Sequence, residues 1–366
     1  MAYPSINRSL RFTTPRGELE IVEKEIPPIP ANELLVKVKA ASINPVDIQL
    51  WGAGLVAVVA GDKGMGRDFS GTVVSVGSAV KGWAVGDDIF GLLFHIVRSF
   101  KRSGGPSLTY PKFGQGTFSQ YINVNPASDP VAKKPGCLTH QQAASIPLVA
   151  LTAFACLAWL PPPATAQRRV IIIGASGGTG SWLVQLAKVS YDCHVTAVCS
   201  SRNAEYVKKL GADEVIDYTT KDVTQTLLAQ RAENGESDLI VDCVGGKDLI
   251  SHYEHILHPK GAYVTIVGDK TNVKSLGGPI TYLTNPVQIL RYIKGYIWGP
   301  RYACIGLLSK SSYLEQIVGR TERGEIHAEV QEVVKGAMDG EIQGWRKAIE
   351  LIESKRIRGK VVLEIP

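Results

Sequence analysis

Apolar and polar residues follow two different patterns along this chain. Between residues 8 and 125 the apolar runs are short, as in LLVKVKAASI and SGTVVSVG, and Gly, Pro, Asn or Asp separates them. Such runs predict β-strands, so we expect a compact β-rich unit here. Further along, apolar strands alternate with helical patterns, and the strands predicted there are Val170–Ile173, His194–Cys199, Glu214–Asp217, Asp238–Asp242, Ala262–Val267 and Tyr302–Leu307. That alternation predicts an α/β fold with a doubly wound parallel sheet.

The first of these strands runs directly into a glycine-rich turn, and residues 170–180 read VIIIGASGGTG. A helical pattern follows at Ser181–Ser190, so the turn lies at a helix N-terminus. Gly177, Gly178 and Gly180 lack side chains that would keep a phosphate from the backbone, and the free N–H groups favour an anion. We interpret the turn as a cradle for a nucleotide diphosphate. The alternative is a strand-to-helix loop without a ligand.

The next strand ends in Ser200, Ser201 and Arg202, about where a βαβ unit meets the adenosine ribose. An acidic residue at this point would accept hydrogen bonds from both ribose hydroxyls and indicate NAD. Hydroxyl groups followed by a guanidinium suit a 2′-phosphate instead. The predicted cofactor is therefore NADPH.

After about residue 308 the β-rich pattern returns. The elements predicted there are helices at Ser312–Arg323 and Trp345–Ser354 and strands at Glu329–Val334 and Gly359–Ile365. An apolar helix at Leu148–Leu160 and the connector PPPATA precede the nucleotide unit. We therefore predict that residues 1–147 and 309–366 form one domain, which is split around a nucleotide-binding domain at 148–308.

Composition narrows the possible partners and compartments. The 366 residues carry a formal charge of +6 without a basic cluster, so we do not expect nucleic acid as a partner. The six cysteines are scattered with no CxxC pair, which is typical of a reducing compartment. No apolar stretch is long enough to cross a bilayer. We expect a cytoplasmic protein, with mitochondrial import as the alternative because Arg8 and Arg11 stand near the start.

The order of several motifs resembles the medium-chain dehydrogenase/reductase superfamily, and within it the zinc-independent quinone oxidoreductase branch. The motifs, in chain order, are ASINPVD, GRDFSGTVVSVG, GDDIFG, GTFSQY, AASIPLVALTAF, GASGGTG, LGADEVIDY, LIVDCVGG and RGKVVL. The resemblance runs nearly from end to end. It implies a Rossmann doubly wound parallel sheet inserted in a β-rich, GroES-like catalytic domain.

The resemblance also implies which residues hold the cofactor. It places Thr152 near the nicotinamide, Ser176, Gly177, Gly178 and Thr179 on the pyrophosphate, and Ser200, Ser201, Arg202 and Tyr218 around the adenosine 2′-phosphate. Val244 and Val267 follow parallel strands, whose carboxyl ends face the ligand crevice. Gly359 and Lys360 are expected to reach the cofactor from the last segment. For Lys360 the alternative is an ordinary solvated charge.

Zinc-dependent members of the superfamily place a metal-binding Cys where this chain has Ser42–Asn44 and a His-Glu pair where it has Arg67–Asp68. Neither zinc ligand set is present, so we expect no metal. Reduction without a Lewis acid favours substrates that accept hydride by conjugate addition, namely enones and quinones. Asn44 is the candidate donor to the developing oxyanion, with a turn-forming role as the alternative. Asp47 and Asp68 are expected to fix loops through backbone hydrogen bonds rather than to transfer protons.

Two other functions stay open, a trans-acting enoyl reductase of a biosynthetic pathway and a cofactor-binding protein with a redox-sensing or scaffold role. The segment Asp269–Tyr302 is rich in apolar and aromatic residues. It is interpreted as a cleft wall or a dimer contact, and less readily as a membrane-surface helix, in a protein that is a monomer or a homodimer. We interpret Leu92–Tyr110 as a mobile loop over the cleft.

Overall fold

The computed structural model describes residues 4–52, 63–93, 116–163, 167–270, 274, 285–307 and 310–366. The strands in this part of the chain are β1 (Ile6–Phe12), β2 (Glu20–Glu25), β3 (Leu34–Ser42), β4 (Lys63–Gly64), β5 (Asp68–Val76), β6 (Asp88–Leu92), β7 (Tyr121–Val124), β8 (Val131–Lys133), β9 (Arg169–Ile173), β10 (His194–Cys199), β11 (Glu214–Asp217), β12 (Ser237–Asp242), β13 (Leu257–Thr265), β14 (Arg301–Cys304), β15 (Val330–Val334) and β16 (Lys360–Glu364). They form three sheets of three, six and seven strands.

The helices in the described ranges are mostly short. They are α1 (Pro45–Trp51), α2 (His140–Ala144), α3 (Pro147–Leu157), α4 (Gly178–Tyr191), α5 (Ala204–Lys209), α6 (Val223–Asn234), α7 (Pro286–Trp298), α8 (Ser311–Glu322) and α9 (Gly344–Glu353). Single 3₁₀ turns lie at Ser201–Asn203, Leu249–Ser251 and Tyr253–His255. None of the helices placed here combines the length and the apolar character needed to cross a bilayer.

The six-stranded sheet confirms the predicted doubly wound architecture. Its strand order is β11-β10-β9-β12-β13-β14, and all of its pairs are parallel. The chain leaves β9 toward β10 on one side and returns to β12 on the other side. The carboxyl ends of β9 and β12 therefore border the crevice in which such sheets bind ligands.

Some element ends differ from the prediction for local reasons. Helix α4 begins at Gly178 instead of Ser181, because the turn's own glycines form its first residues. Helix α3 ends at Leu157 instead of Leu160, because the chain tightens there into i→i−3 bonds such as Trp159 N–H to the Cys156 carbonyl at 3.1 Å. These differences leave the number and order of the predicted central strands unchanged.

The seven-stranded sheet is assembled from two distant parts of the chain. Strand β16 pairs in parallel with β15 and antiparallel with β3, so residues 330–364 complete a sheet begun by residues 34–133. One hydrophobic cluster nevertheless joins this sheet to the nucleotide unit, since Phe90 and Leu92 of β6 pack with residues of α3 and α4. The division at 147/148 and 308/309 stays a prediction.

Two predicted segments are described only in part. Most of Leu92–Tyr110 lies outside the described residues, and so does most of 271–284. Helix α7 packs closely on the chain that enters β14, where a Cβ on Gly295 would stand 2.6 Å from the Pro300 carbonyl oxygen. Its apolar side chains point outward, with Leu290, Tyr296 and Trp298 each 66% exposed or more. This exposed face keeps the three interpretations of the segment open.

Candidate functional site

The nucleotide turn, residues 173–180, is fastened to the neighbouring strand by backbone hydrogen bonds. Gly174 and Ala175 both donate their N–H groups to the Val198 carbonyl of β10 at 3.1 Å. Gly174 has φ +78°, a left-handed conformation that favours glycine, and a Cβ there would approach Val244 Cγ2 within 2.8 Å. The turn is thus a firmly held connection between β9 and α4.

Helix α4 leaves this turn with backbone N–H groups that no side chain caps. Its N-cap is Gly177, and the first helical bond runs from the Ser181 N–H to the Gly177 carbonyl at 2.9 Å. A Cβ on Gly177 would meet only the Gly174 carbonyl oxygen, at 3.4 Å, so this side of the turn is open. Uncapped N–H groups with an open approach fit a diphosphate. The predicted role of residues 176–179 is compatible with this geometry.

Gly180 lies on the packed side of the same turn. A Cβ there would stand 2.2 Å from the Gly174 carbonyl oxygen, a contact that forces the turn to move. We expect Gly180→Ala to lower the free energy of unfolding by about 1–3 kcal/mol and to weaken nucleotide binding. Denaturant unfolding and fluorescence titration measure the two effects. Gly177→Ala is the matched control for stability and should keep a near-normal free energy of unfolding. Equal losses of stability in both variants would contradict the assignment of Gly180 to the packed side of the turn.

The predicted 2′-phosphate residues follow β10. Ser200 is buried, whereas Ser201 and Arg202 are exposed, and Arg202 forms no ion pair with any described residue. Asn203, which the sequence reasoning missed, donates from Nδ2 to Ser176 Oγ at 3.0 Å and lies 3.5 Å from Ser200 Oγ. Asn203 therefore joins the glycine turn to the residues that follow β10. Its position directly after Ser200, Ser201 and Arg202 was the sequence signal that could have identified it.

An acidic group also lies near these residues, at the end of β11. The hydroxyl and N–H of Thr219 donate to Asp217 Oδ1 at 2.7 and 2.9 Å, and these bonds, with smaller ones from Ser201, hold the pKa of Asp217 below its usual range. Tyr218, the next residue, is 58% exposed. A 2′-phosphate here would meet an ionised carboxylate, so Arg202 is the charge that can offset it.

The predicted nicotinamide contacts lie on α3 and on the loops after β12 and β13. Thr152 is buried, and its hydroxyl donates to the Leu148 carbonyl at 2.7 Å, which leaves its oxygen lone pairs as acceptors. Val244 is half-exposed in the loop after β12, and Val267 is partly exposed after β13. Val244 and Val267 thus follow the carboxyl ends of adjacent parallel strands, where ligands bind in this architecture.

Asp242 shapes the first of these loops and was also missed by the sequence reasoning. Its Oδ1 accepts the N–H groups of Val244 and Gly245 at 2.9 Å each, and its Oδ2 accepts the Tyr263 hydroxyl at 2.9 Å. Burial raises the pKa of this carboxyl, and the hydrogen bonds oppose that shift. An Asp at the end of the apolar strand LIVD was the available signal, because a buried acid needs such partners.

On the opposite side of the turn, Asn44 belongs to a buried polar cluster. Its side chain donates from Nδ2 to Asp68 Oδ2 at 2.8 Å, and its Oδ1 accepts from Lys360 Nζ. The residue is 1% exposed, so contact with a substrate depends on the second hydrogen of Nδ2. The alternative role is also real, since Asn44 is the N-cap of α1 and its N–H donates to Asp47 Oδ2 at 2.8 Å.

The interpretation of Lys360 as a solvated charge is wrong. Its side chain is 5% exposed, and Nζ lies 3.2 Å from the Ile43 carbonyl and 3.4 Å from Asp68 Oδ2. Burial lowers the pKa of this ammonium, and Asp68 opposes that effect. Lys360 still adjoins the turn, because its Cδ would lie 3.1 Å from a Cβ on Gly178.

The expectation that Asp47 and Asp68 fix loops is confirmed. Asp47 accepts the Asn44 N–H, and Asp68 Oδ1 accepts the Leu148 N–H at 2.8 Å, which ties the start of α3 to β5. Asp47 Oδ1 has no hydrogen-bond partner in the described structure. Burial raises the pKa of Asp47 to about 6, and the nearby Arg67 guanidinium opposes this shift. Over the described ranges, no group of three or more His, Cys, Asp or Glu side chains is placed to hold a metal ion.

Comparison with known proteins gives consistent matches along the chain. The family described as alcohol dehydrogenase GroES-like domain matches residues 30–136, and the family described as zinc-binding dehydrogenase matches residues 210–363. The mitochondrial NAD(P)H oxidoreductase RTN4IP1 of Mus musculus is 32% identical over 91% of this chain and 82% of its own length. The chloroplast envelope quinone oxidoreductase homolog of Arabidopsis thaliana is 29% identical over 94% of each chain.

A solved structure extends the likeness to the fold. The quinone oxidoreductase from Coxiella burnetii is 26% identical, covers 99% of this chain and 100% of its own, and superposes with a TM-score of 0.71. The predicted combination of a Rossmann sheet and a GroES-like unit is thereby confirmed. On these matches the chain belongs to the medium-chain dehydrogenase/reductase superfamily, in its quinone oxidoreductase-like branch.

Proposed function

We propose that this protein is an NADPH-dependent oxidoreductase that transfers hydride to an α,β-unsaturated carbonyl compound or a quinone, and that it needs no zinc. The observation that carries the cofactor choice is the exposed Arg202, which follows two serines at the end of β10 and has no ion-pair partner in the described ranges. A guanidinium in this position matches a 2′-phosphate in charge and in hydrogen-bond geometry. The names of the relatives support a nicotinamide cofactor and, for two of them, a quinone.

The residues present fit such a cofactor in three places. The uncapped N–H groups at the start of α4 would bind the diphosphate, Arg202 with Ser200 the 2′-phosphate, and Thr152 with the loops after β12 and β13 the nicotinamide end. Bound there, reduced nicotinamide supplies a hydride. The protein's own task is to orient the ring, exclude water and shape the substrate pocket.

On the substrate side the candidate group is the Asn44 amide, which lies between the charged side chains of Asp68 and Lys360. Asn44 Nδ2 has one N–H bonded to Asp68 and a second N–H with no acceptor among the described residues. That second hydrogen is the donor we assign to the oxygen on which negative charge collects during conjugate addition. The positions at which zinc-dependent members carry Cys and His-Glu here hold Ser42–Asn44 and Arg67–Asp68, a set with one carboxylate and a guanidinium that does not suit zinc.

Turnover assays with purified protein test this function. We expect NADPH oxidation with members of a panel of quinones and enones, and little with saturated ketones of the same shape. Dialysis against a strong chelator should leave the rate unchanged. Oxidation of alcohols with NADP⁺, loss of activity on chelation, or cofactor binding without turnover of any panel member would each count against the proposal.

A further inference from the structure

We infer that Lys360 and Asp68 form a buried charge pair that positions two parts of the site at once, the nucleotide turn and the Asn44 amide. The inference deepens the proposed function, on which the role of Asn44 rests. Both partners lie in the interior, with side-chain exposures of 5% and 0%, and Lys360 Nζ is 3.4 Å from Asp68 Oδ2. Charges at such depth persist only when each is paired and hydrogen-bonded.

The Lys360 ammonium has all three of its hydrogens accounted for. Its acceptors are the Ile43 carbonyl at 3.2 Å, Asn44 Oδ1 and Asp68 Oδ2. None of them belongs to the nucleotide turn, although the methylene stem of Lys360 lies beside Gly178. The contacts therefore assign Lys360 to the cluster around Asp68 rather than to a phosphate.

Asp68 is the centre of that cluster and receives donors from four directions. Its Oδ2 accepts from Ser42 Oγ and Asn44 Nδ2 at 2.8 Å each and faces Lys360, while Oδ1 accepts the Leu148 N–H at 2.8 Å. An ionised carboxylate, which only accepts hydrogen bonds, satisfies all four donors. The group thereby ties together the end of β3, the start of α1, the start of α3 and the start of β16.

The two charges also decide which way the Asn44 amide faces. The cation takes the amide oxygen and the carboxylate takes the amide nitrogen. A flipped amide would place NH₂ against the ammonium and oxygen against the carboxylate, and both contacts would be repulsive. The free hydrogen on Nδ2 is consequently held in one direction, which is the condition for a preorganised donor.

The connection to the nucleotide turn runs through the residue before Lys360. Gly359 donates its N–H to the Ser176 carbonyl at 3.1 Å and forms a parallel bridge with Gly177. Gly359 has φ +69°, and a Cβ there would lie 2.7 Å from the Glu329 carbonyl oxygen, so its place is closely fixed. Anchoring Lys360 on Asp68 thus holds the start of β16 against the turn.

A double-mutant cycle on the full-length protein, which removes each charge singly and then both together, tests this pairing. The measured quantity is the affinity for NADPH, obtained by fluorescence titration. We expect Lys360→Met and Asp68→Asn each to weaken NADPH binding about 10- to 100-fold, because each leaves an uncompensated buried charge beside the turn. The double variant should bind NADPH within a few-fold of the wild type. If Lys360 instead contacts the phosphate directly, the double variant will bind as poorly as Lys360→Met, and the inference is overturned.

Adenosine 2′-monophosphate separates positioning from damage to the fold, because it probes the Arg202 side without the diphosphate. Its affinity should stay within about twofold in all three variants, and a parallel loss would overturn the inference. Lys188 and Asp213 form the matched control, since their 2.7 Å pair is about one-third exposed and should give no coupling in the same cycle. If a single variant fails to fold, binding by the double variant decides: recovery supports the pair, and absence of binding refutes it.

This cycle measures binding alone, so it stands even if no enone or quinone is turned over. Where turnover is found, Lys360→Met at saturating NADPH should also lower kcat, because the Asn44 amide loses its fixed direction. An unchanged kcat with the expected loss of affinity would limit the pair to the cofactor side and refute the assignment to Asn44.

Discussion

Replacing Arg202 with Ala should weaken NADPH binding about 10- to 100-fold and leave NADH binding nearly unchanged. Arg202 is exposed and unpaired within the described structure, so its guanidinium is available to a 2′-phosphate, which NADH lacks. Charge-assisted hydrogen bonds of this kind contribute about 1.5–3 kcal/mol each. The ionised Asp217 would add to the effect, because it would repel a bound 2′-phosphate once the Arg202 guanidinium is gone.

Titrations of the two cofactors with wild type and variant measure this preference. Lys81→Ala is a suitable control, since it removes one exposed positive charge from the seven-stranded-sheet part of the chain. It should shift both affinities by a similar small factor, from the general field alone. An equal loss of NADPH and NADH binding in Arg202→Ala, or tighter NADH than NADPH binding by the wild type, would refute the cofactor assignment.

The stability of Asp47→Asn relative to the wild type should rise with pH between about pH 4 and pH 6 and stay level above that range. Burial raises the pKa of Asp47 to about 6 from an ordinary value of 3.8. Between these values the folded protein keeps a proton that the unfolded chain has released, so rising pH disfavours the fold. The penalty is complete above about pH 6 and amounts to about 3 kcal/mol.

Denaturant unfolding of both proteins between about pH 4 and pH 7 tests this expectation. Asparagine keeps the acceptor for the Asn44 N–H, so any constant cost of the substitution cancels from the slope. The other charges that face Asp47 are Arg67, Asp68 and Lys360, and they are present in both proteins. Asp248→Asn, at an exposed site, should follow the wild-type curve. Parallel curves for Asp47→Asn and wild type would show that Asp47 ionises normally.

The nucleotide unit was predictable because its information is local. Each central strand is an apolar run with turn residues at its ends, and the glycine turn sits between β9 and α4 in consecutive residues. The predicted start of α4 nevertheless lies after the observed one, because glycine is a poor helix former. Whether a glycine serves as the first residue of a helix depends on the tertiary context. The roles of Asn203 and Asp242 were not predictable, because these side chains hold loops through hydrogen bonds. Composition does not reveal which partners such side chains have.

The substrate-side cluster was far harder to derive from the sequence. Lys360 could equally have been solvated, and the difference depends on Asn44, which lies 316 positions away along the chain. Asp68 illustrates the same point, because its partners come from four other elements, β3, α1, α3 and β16. Burial of a long charged side chain is a property of such distant pairings, and periodicity contains no information about them.

The bridge between Gly177 and Gly359 determines when, during synthesis of the chain, the glycine turn gains its support from β16. On the ribosome, the segment with the glycine turn emerges well before β16, whose place in its sheet also requires β3 and β15. In a partly synthesised chain the turn therefore lacks its contact with Gly359. A ligand that prefers the supported turn stabilises only completed molecules, by mass action. The expected nicotinamide cofactor would then add to the stability of the completed chain and not to that of a partly synthesised one.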